Sequence, residues 1–466
     1  MCFAPAPGVR TSGLNSIRKH LVYPLATLAL TSGFSELQAA TDDSPINAQW
    51  QKPVWLTEIS FSAREGYDNN VFGAGADSKY FPANYQASVP SGSPVAVKGD
   101  YSWVTTLTPK IGFNFAPLIS SNGPLQTVSL GYAPECAFYH EQPSETYQAH
   151  RVATAIKGGA DDVNFALDNN FTFVNGDRTG PFYPGGYLNC YASALARERR
   201  EQCQDRANLV VQYDQELWFA RATGSLLYYD LMTEQINVFG YQNYCDRYDA
   251  NGGGDVGYKI LPQFAVTLGW RYGHQYQQAF SFSPYSSSSD YQRALLGAEG
   301  HPWKWLEMKI QGGPDFRSYD DNAPVDNRHT VKYYGEASLT ATITSADMLS
   351  FKYKQWQWVS STGRIPYFDT SCDLIYHRKL TDKLGFDLGG KLLRSDYTSG
   401  DLVPTSRRKD TEYVATSGLT YAITTRLSAS AGVEFDFGRN DQNNISNPST
   451  REFDRQLYTL GLQWKL

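Results

Sequence analysis

The chain is poor in the material of a helical membrane protein. Its mean hydropathy is −0.45, and it lacks the runs of about 20 apolar residues that each helical span requires. Methionine is scarce, with 4 in 466 residues. Only 19% of residues are charged and the net charge is −6, which leaves no basic footprint for nucleic acid. The 39 Gly and 23 Pro are spread along the chain, which excludes a collagen-like or low-complexity sequence. What is plentiful is aromatic: 32 Tyr, 24 Phe and 10 Trp. Many aromatics in a polar chain suit an all-β protein, and equally a β-barrel whose lipid face is hidden in alternation.

Residues 1–40 read as an export signal. Arg10, Arg18 and Lys19 precede the apolar stretch Leu21 to Leu30, and small residues follow to Ala39-Ala40. A basic start, a short apolar centre and a small-residue exit are the parts of a secretory signal, too short to span a bilayer. Residues 41–54 then form a periplasmic segment leading into a barrel over 55–466.

From Trp55 onward the side chains alternate with a period of two, as in a half-buried antiparallel sheet. Over 426–438, Leu427, Ala429, Ala431, Val433, Phe435 and Phe437 form one face, against Ser428, Ser430, Gly432, Glu434 and Asp436. The pattern predicts about 18 strands, from 55–64 to 453–466, most longer than the 9–11 residues that cross a bilayer. Soluble sandwich strands average about 5–6 residues. Tight turns are expected at Gly158–Ala160, Leu261-Pro262, His301-Pro302, Ser345-Ala346, Thr381-Asp382 and Thr424-Thr425. Between them lie long polar loops such as 65–100, 175–205 and 232–251. The fold class is therefore an all-β, antiparallel transmembrane barrel in a bacterial outer membrane, with short periplasmic turns and long extracellular loops.

In the last strand, Tyr458, Leu460, Leu462, Trp464 and Leu466 alternate with polar residues. It resembles the C-terminal signal read by the barrel-insertion machinery, with Leu466 where Phe is usual. Gly66-Tyr67-Asp68-Asn69-Asn70-Val71-Phe72 resembles the opening motif of a bacterial β-barrel porin family. Asn243 to Asp249, Gly252 to Tyr258 and Gly269 to Gln275 are similar in kind. The resemblance implies an outer-membrane barrel, some members being associated with exopolysaccharide production, and it brings no established active-site residues.

Five cysteines follow the signal: Cys136, Cys190, Cys203, Cys245 and Cys372. Export permits disulfides, and an odd count leaves a thiol over. Cys190 with Cys203 is the favoured pair, stapling an Ala/Arg/Glu-rich stretch (192–202) that could form one polar helix; Cys136 with Cys245 is the weaker pairing. The spacing supports no zinc site. No G-x-S-x-G or H-E-x-x-H motif occurs, so no enzyme, cofactor or metal is expected. His274 near Arg271 and His377 near Asp373 are the histidine pairings worth following. Asp249 to Asp255 reads as a glycine-rich loop before a strand at Val256, with calcium binding as its alternative.

Function should reside in the lumen. Charges on the lipid face cost about 2–4 kcal/mol near the midplane, so the polar set must point inward. Lumen-facing candidates are Lys110, Arg151, Arg271, Arg293, Lys309, Arg317, Lys332, Glu336, Lys352, Lys354, Asp373, Lys391, Glu434 and Asp436. With both signs present, the interior suits water and solute passage. Expected partners are outer-membrane lipid, the insertion machinery, and small hydrophilic solutes or polysaccharide. A porin-like channel, with saccharides among its solutes, is the leading reading. A polysaccharide export conduit and a loop-driven adhesin or structural barrel are the alternatives.

Overall fold

The computed structural model describes residues 52–73, 101–119, 123–181, 194–237, 241–362, 366–397, 408–442 and 452–466. The signal segment, most of 41–54 and Cys190 lie outside the described residues. Pro53–Leu466 forms one compact unit. Its strands are β1 (Leu56–Asp68), β2 (Ser102–Asn114), β3 (Leu125–Tyr139), β4 (Tyr147–Ala160), β5 (Val163–Asn175) and β6 (Gln202–Asp214). Next come β7 (Trp218–Leu231), β8 (Arg247–Leu261), β9 (Phe264–Gln277), β10 (Ser289–Trp303), β11 (Leu306–Tyr319) and β12 (His329–Thr342). The chain finishes with β13 (Asp347–Trp358), β14 (Tyr367–Lys379), β15 (Leu384–Tyr397), β16 (Arg408–Ala422), β17 (Leu427–Gln442) and β18 (Phe453–Lys465). Among the described residues, two short α-helices, α1 (Ala116–Ile119) and α2 (Ala194–Glu198), and a 3-10 turn (Pro143–Glu145) sit in connections.

Every strand pairs antiparallel with its sequence neighbours, and β1 pairs with β18 from Ser60↔Lys465 to Asp68↔Leu457. That last pairing closes an 18-stranded barrel and removes both sheet edges.

Three of the turns share one local device. Thr344, Thr381 and Thr424 each follow an aliphatic residue, and each hydroxyl oxygen accepts bonds from two backbone N–H groups just ahead. The acceptor distances are 3.1 and 3.0 Å at Thr344, 3.2 and 3.1 Å at Thr381, and 3.1 and 3.0 Å at Thr424. A threonine that caps its own turn replaces the glycine such turns often need.

Several boundaries differ from the sequence reading. The β10–β11 turn falls at Lys304 and Trp305, and His301-Pro302 lies inside β10. Gly300, with φ +117°, hosts a register shift that carries the strand through the proline. The β6–β7 turn is at 215–217, not after Phe219, and is closed by the Gln215 N–H to the Trp218 carbonyl at 2.8 Å. Asp249 to Asp255 is no loop: it lies within β8. A Cβ on Gly253 would stand 1.9 Å from the Trp270 carbonyl, so glycine there serves close approach to β9, and the calcium alternative loses its loop. The helix expected over 192–202 is confined to α2, within the described residues.

Candidate functional site

Which face is inside follows from contacts between strands that are not neighbours. Arg221 of β7 reaches Glu299 of β10 at 2.7 Å, and Gln275 of β9 donates to the Gln357 carbonyl of β13 at 3.0 Å. In a closed barrel such contacts can run only through the interior.

The wall from β7 to β13 is rich in cations. Asp255 accepts from Arg221 at 2.9 Å and pairs with Arg271 at 2.8 Å. Asp315 accepts from Arg293 at 2.7 Å and Arg317 at 3.2 Å. Glu299 takes both terminal nitrogens of Arg221, at 2.7 and 3.0 Å. Each of these carboxylates is therefore engaged by arginine. Lys309 and Lys332, which stand in register with Glu299 and Asp315, meet acids that already have partners. Farther round, β14 to β17 carry Asp369, Asp373, Asp387, Asp410, Glu412, Glu434 and Asp436 on the same face, with Lys391 and, from β18, Arg455 among them. The lumen thus has a basic sector and, adjoining it at β13 and β14, an acidic one.

A single row of paired positions crosses both sectors. It runs Lys259, Ala265, Glu299, Lys309, Ser338, Lys352, Asp373, Lys391, Val414, Asp436, Arg455, each directly opposite the next. Strands in a barrel tilt by about 35–45°, so a row perpendicular to them climbs as it winds. Lys259 is near the short-turn end of β8, and Arg455 is near the long-loop end of β18. At its foot lies a recess of about 380 Å³ lined by Asp214, Arg221, Lys259, Glu299, Glu307 and Lys309 among others.

Above the row, loops fold inward. β13 stays in register with β12 only as far as Gln355, opposite Gly335. Beyond it, Val359 accepts from Arg247 at 2.8 Å, and the Ser361 carbonyl accepts from the Cys245 N–H at 2.8 Å. The Ser361 hydroxyl accepts from Arg197 of α2 at 3.1 Å. Just past α2, Arg199 donates to Glu145 at 2.7 Å and to the Val71 carbonyl at 2.8 Å, and Arg200 donates to the same Glu145 carboxylate. Glu145 is 3% exposed and Arg200 2%. Residues from the ends of β1, β3, β5 and β13 so meet over one mouth of the lumen.

The structure brings Arg271, Arg293 and Arg317 together, with Lys309, Lys332, Glu336, Lys352 and Lys354 beside them. Glu336 accepts from Gln311, and Lys354 stands 4.9 Å from the Trp356 ring. Asp373, Lys391 and Asp436 fall on the climbing row, and Glu434 pairs with Arg455 at 2.9 Å. Lys110 and Arg151 lie elsewhere, each with its own acid: Glu58 at 2.7 Å and Glu135 at 3.1 Å. Sequence reasoning missed Arg221, Arg247 and the Glu145 cluster as lumen residues, and it placed Asp255 in a loop rather than on the inner face of β8. The sectors show in chain order only once facing is applied: among inward positions, basic residues outnumber acidic ones from Arg221 to Lys354, and acidic ones outnumber basic from Asp369 to Asp436.

The histidine pairings change. His274 alternates away from Arg271 and meets Asp290 at 2.9 Å on the outer face, and His377 pairs with Asp387 at 2.7 Å rather than with Asp373. Cys136 and Cys245 do not bond: Cys136 sits in β3 opposite Leu107, while Cys245 is buried inside, donating to the Ser360 carbonyl at 3.5 Å. Cys203 is buried in β6, and its favoured partner Cys190 lies outside the described residues.

The outer wall decides the setting. Leu268 is 67% exposed, Tyr333 70% and Leu460 68%, on the face that carries no buried ion pairs. Such area has no place in water, and around a closed barrel it is a lipid belt. The chain is an outer-membrane β-barrel. No helix among the described residues is long and apolar enough to cross a membrane; the strands cross. No family model matches the chain and no curated protein matches it. Among solved structures, OccK1 (OpdK) of Pseudomonas aeruginosa is similar at 11% identity, over 88% of this chain and 98% of that one, with a TM-score of 0.44. OccAB3 of Acinetobacter baumannii is similar at 10%, over 88% and 99%, with a TM-score of 0.40. The siderophore receptor PirA of Acinetobacter baumannii follows at 8%, over 88% and 81%, with a TM-score of 0.40. At such identities the chemistry of this barrel has to come from its own residues.

Proposed function

We propose that the barrel is a non-enzymatic channel through which small hydrophilic solutes, saccharides among them, diffuse across the outer membrane. The observation that supports this is the climbing row from Lys259 to Arg455, which, apart from Ala265 and Val414, lines the lumen with charged and polar side chains from one rim towards the other. A solute moving along it exchanges water for polar contacts at each level, and the field between the sectors orients any dipole it carries.

The test is single-channel recording on the refolded protein in a planar bilayer under a salt gradient. Steps should be resolved, and Lys309→Glu with Lys352→Glu should move the reversal potential towards cation preference. Lys110→Glu, beside the already paired Glu58, should move it less. A folded barrel whose conductance equals that of bare bilayer under all conditions would sink the reading.

A further inference from the structure

The strongest unexplained feature is the buried ion cluster at the long-loop mouth. α2 and the residues after it reach the rest of the molecule largely through side chains. Arg197 holds Ser361, Arg199 holds Glu145 and Val71, and Arg200 holds Glu145 and the Ala196 carbonyl of α2. Among the described residues, the Gln202 side chain of β6 donates to the Arg197, Glu198 and Arg200 carbonyls at 2.9, 3.2 and 3.3 Å, and backbone-to-backbone bonds to neighbouring segments start at Glu201, with Asp177 and Met232. It therefore lacks the ladder that makes the wall rigid.

We propose that the segment 194–200 is a gate on the extracellular mouth, latched by Glu145 sharing one carboxylate between Arg199 and Arg200. The inference rests on the channel reading. A latch needs one group whose loss releases several contacts at once, and Glu145 is that group. Arg199 also lies over the Tyr139 and Phe72 rings, at 5.3 and 6.0 Å to their centroids, so its closed position is shaped as well as charged. Without the carboxylate, two desolvated guanidiniums are left side by side, with the partly exposed Asp177 carboxylate 4.0 Å from Arg200 as a weaker partner, and water supplies the fuller relief. Swinging the segment outward supplies water without breaking a single strand pairing. Lumen and gate then act separately: the row along the wall sets which solute passes, and the latch sets when.

The experiment uses the full barrel in planar bilayers, with folding checked by heat-modifiable migration. Glu145→Gln should raise the ratio of open to closed dwell time by roughly tenfold or more, the size of effect expected when charge-assisted hydrogen bonds are lost. A folded Glu145→Gln channel with wild-type dwell times and step sizes overturns the gate. Should Glu145→Gln fail to fold, the neutral triple variant Glu145→Gln, Arg199→Gln, Arg200→Gln is recorded instead, since it leaves no buried unpaired charge. The same increase is expected. If the triple variant also cannot form the barrel, the cluster is part of the frame and the gate is wrong. Silence from both folded wild type and folded triple variant overturns the channel reading itself, whereas a conducting wild type unaffected by the triple change overturns only the gate.

Discussion

Asp315 of β11 accepts from Arg293 of β10 at 2.7 Å and from Arg317, two residues along its own strand, at 3.2 Å, with all three side chains buried in the lumen wall. One carboxylate neutralising two guanidiniums is a different case from an exposed pair such as Lys110 and Glu58. Removing the acid leaves two cations out of water, a loss of about 3–5 kcal/mol where a buried pair is broken. Removing one member of an exposed pair typically costs less than about 1 kcal/mol. Asp315→Asn should therefore lower the urea midpoint of the refolded barrel clearly, and Lys110→Gln should barely move it. Equal midpoints for the two variants would show that the Arg293–Asp315–Arg317 group is as solvated as the rim.

The latch carries a pH signature. Burial alone would push the Glu145 carboxyl up, but Arg199 and Arg200 outweigh it and hold the group below its ordinary value of 4.5. An acid lowered on folding contributes fully above its ordinary value, and the contribution is lost as pH falls through the lowered one. Gating should stay constant from pH 7 to about pH 5 and shift towards open dwell times only in more acidic solution. Glu145→Gln should abolish that shift. An acid response centred between pH 5 and 7 would assign the switch to other groups.

Most of the barrel was legible because the chain repeats one simple constraint. A strand with lipid on one side and water on the other must alternate, so residues such as Val331 and Tyr333 against Lys332 and Tyr334 announce their faces without help. β3 over 125–139 and the start of β12 at His329 are found where the alternation put them. Local chemistry misled where it has two uses. Gly252 to Gly254 resemble a turn, yet they lie within β8, where Gly253 allows close approach to β9. Distance hid the rest. Glu145 and Arg200 stand 55 residues apart with no shared period, and the Gln355 to Ser361 stretch keeps a strand-like pattern while leaving β12 for the interior. Only closure of the barrel reveals those meetings.

Gly300 offers a test of how β10 reaches its turn. Its φ of +117° lies in a region that side chains avoid, and a Cβ there would meet the Gln263 carbonyl at 2.0 Å. The atoms that Cβ would meet are backbone, and the Cβ position is itself fixed by the backbone, so no rotamer change relieves it. The bulge at this residue is what lets β10 continue through His301 and Pro302 to Trp303. Gly300→Ala should destabilise the barrel by about 1–3 kcal/mol or more, and lower the refolded fraction, through strain plus displacement of the β8–β9 turn. Gly390 in β15 is the matched control, because a Cβ there meets nothing within 4 Å. Gly390→Ala should be neutral or stabilising by up to about 1 kcal/mol through a less flexible unfolded chain. Heat-modifiability and urea midpoints of the two variants read the difference directly, and a Gly300→Ala barrel as stable as Gly390→Ala would mean that the bulge tolerates an ordinary residue and that the proline, not the glycine, sets the path.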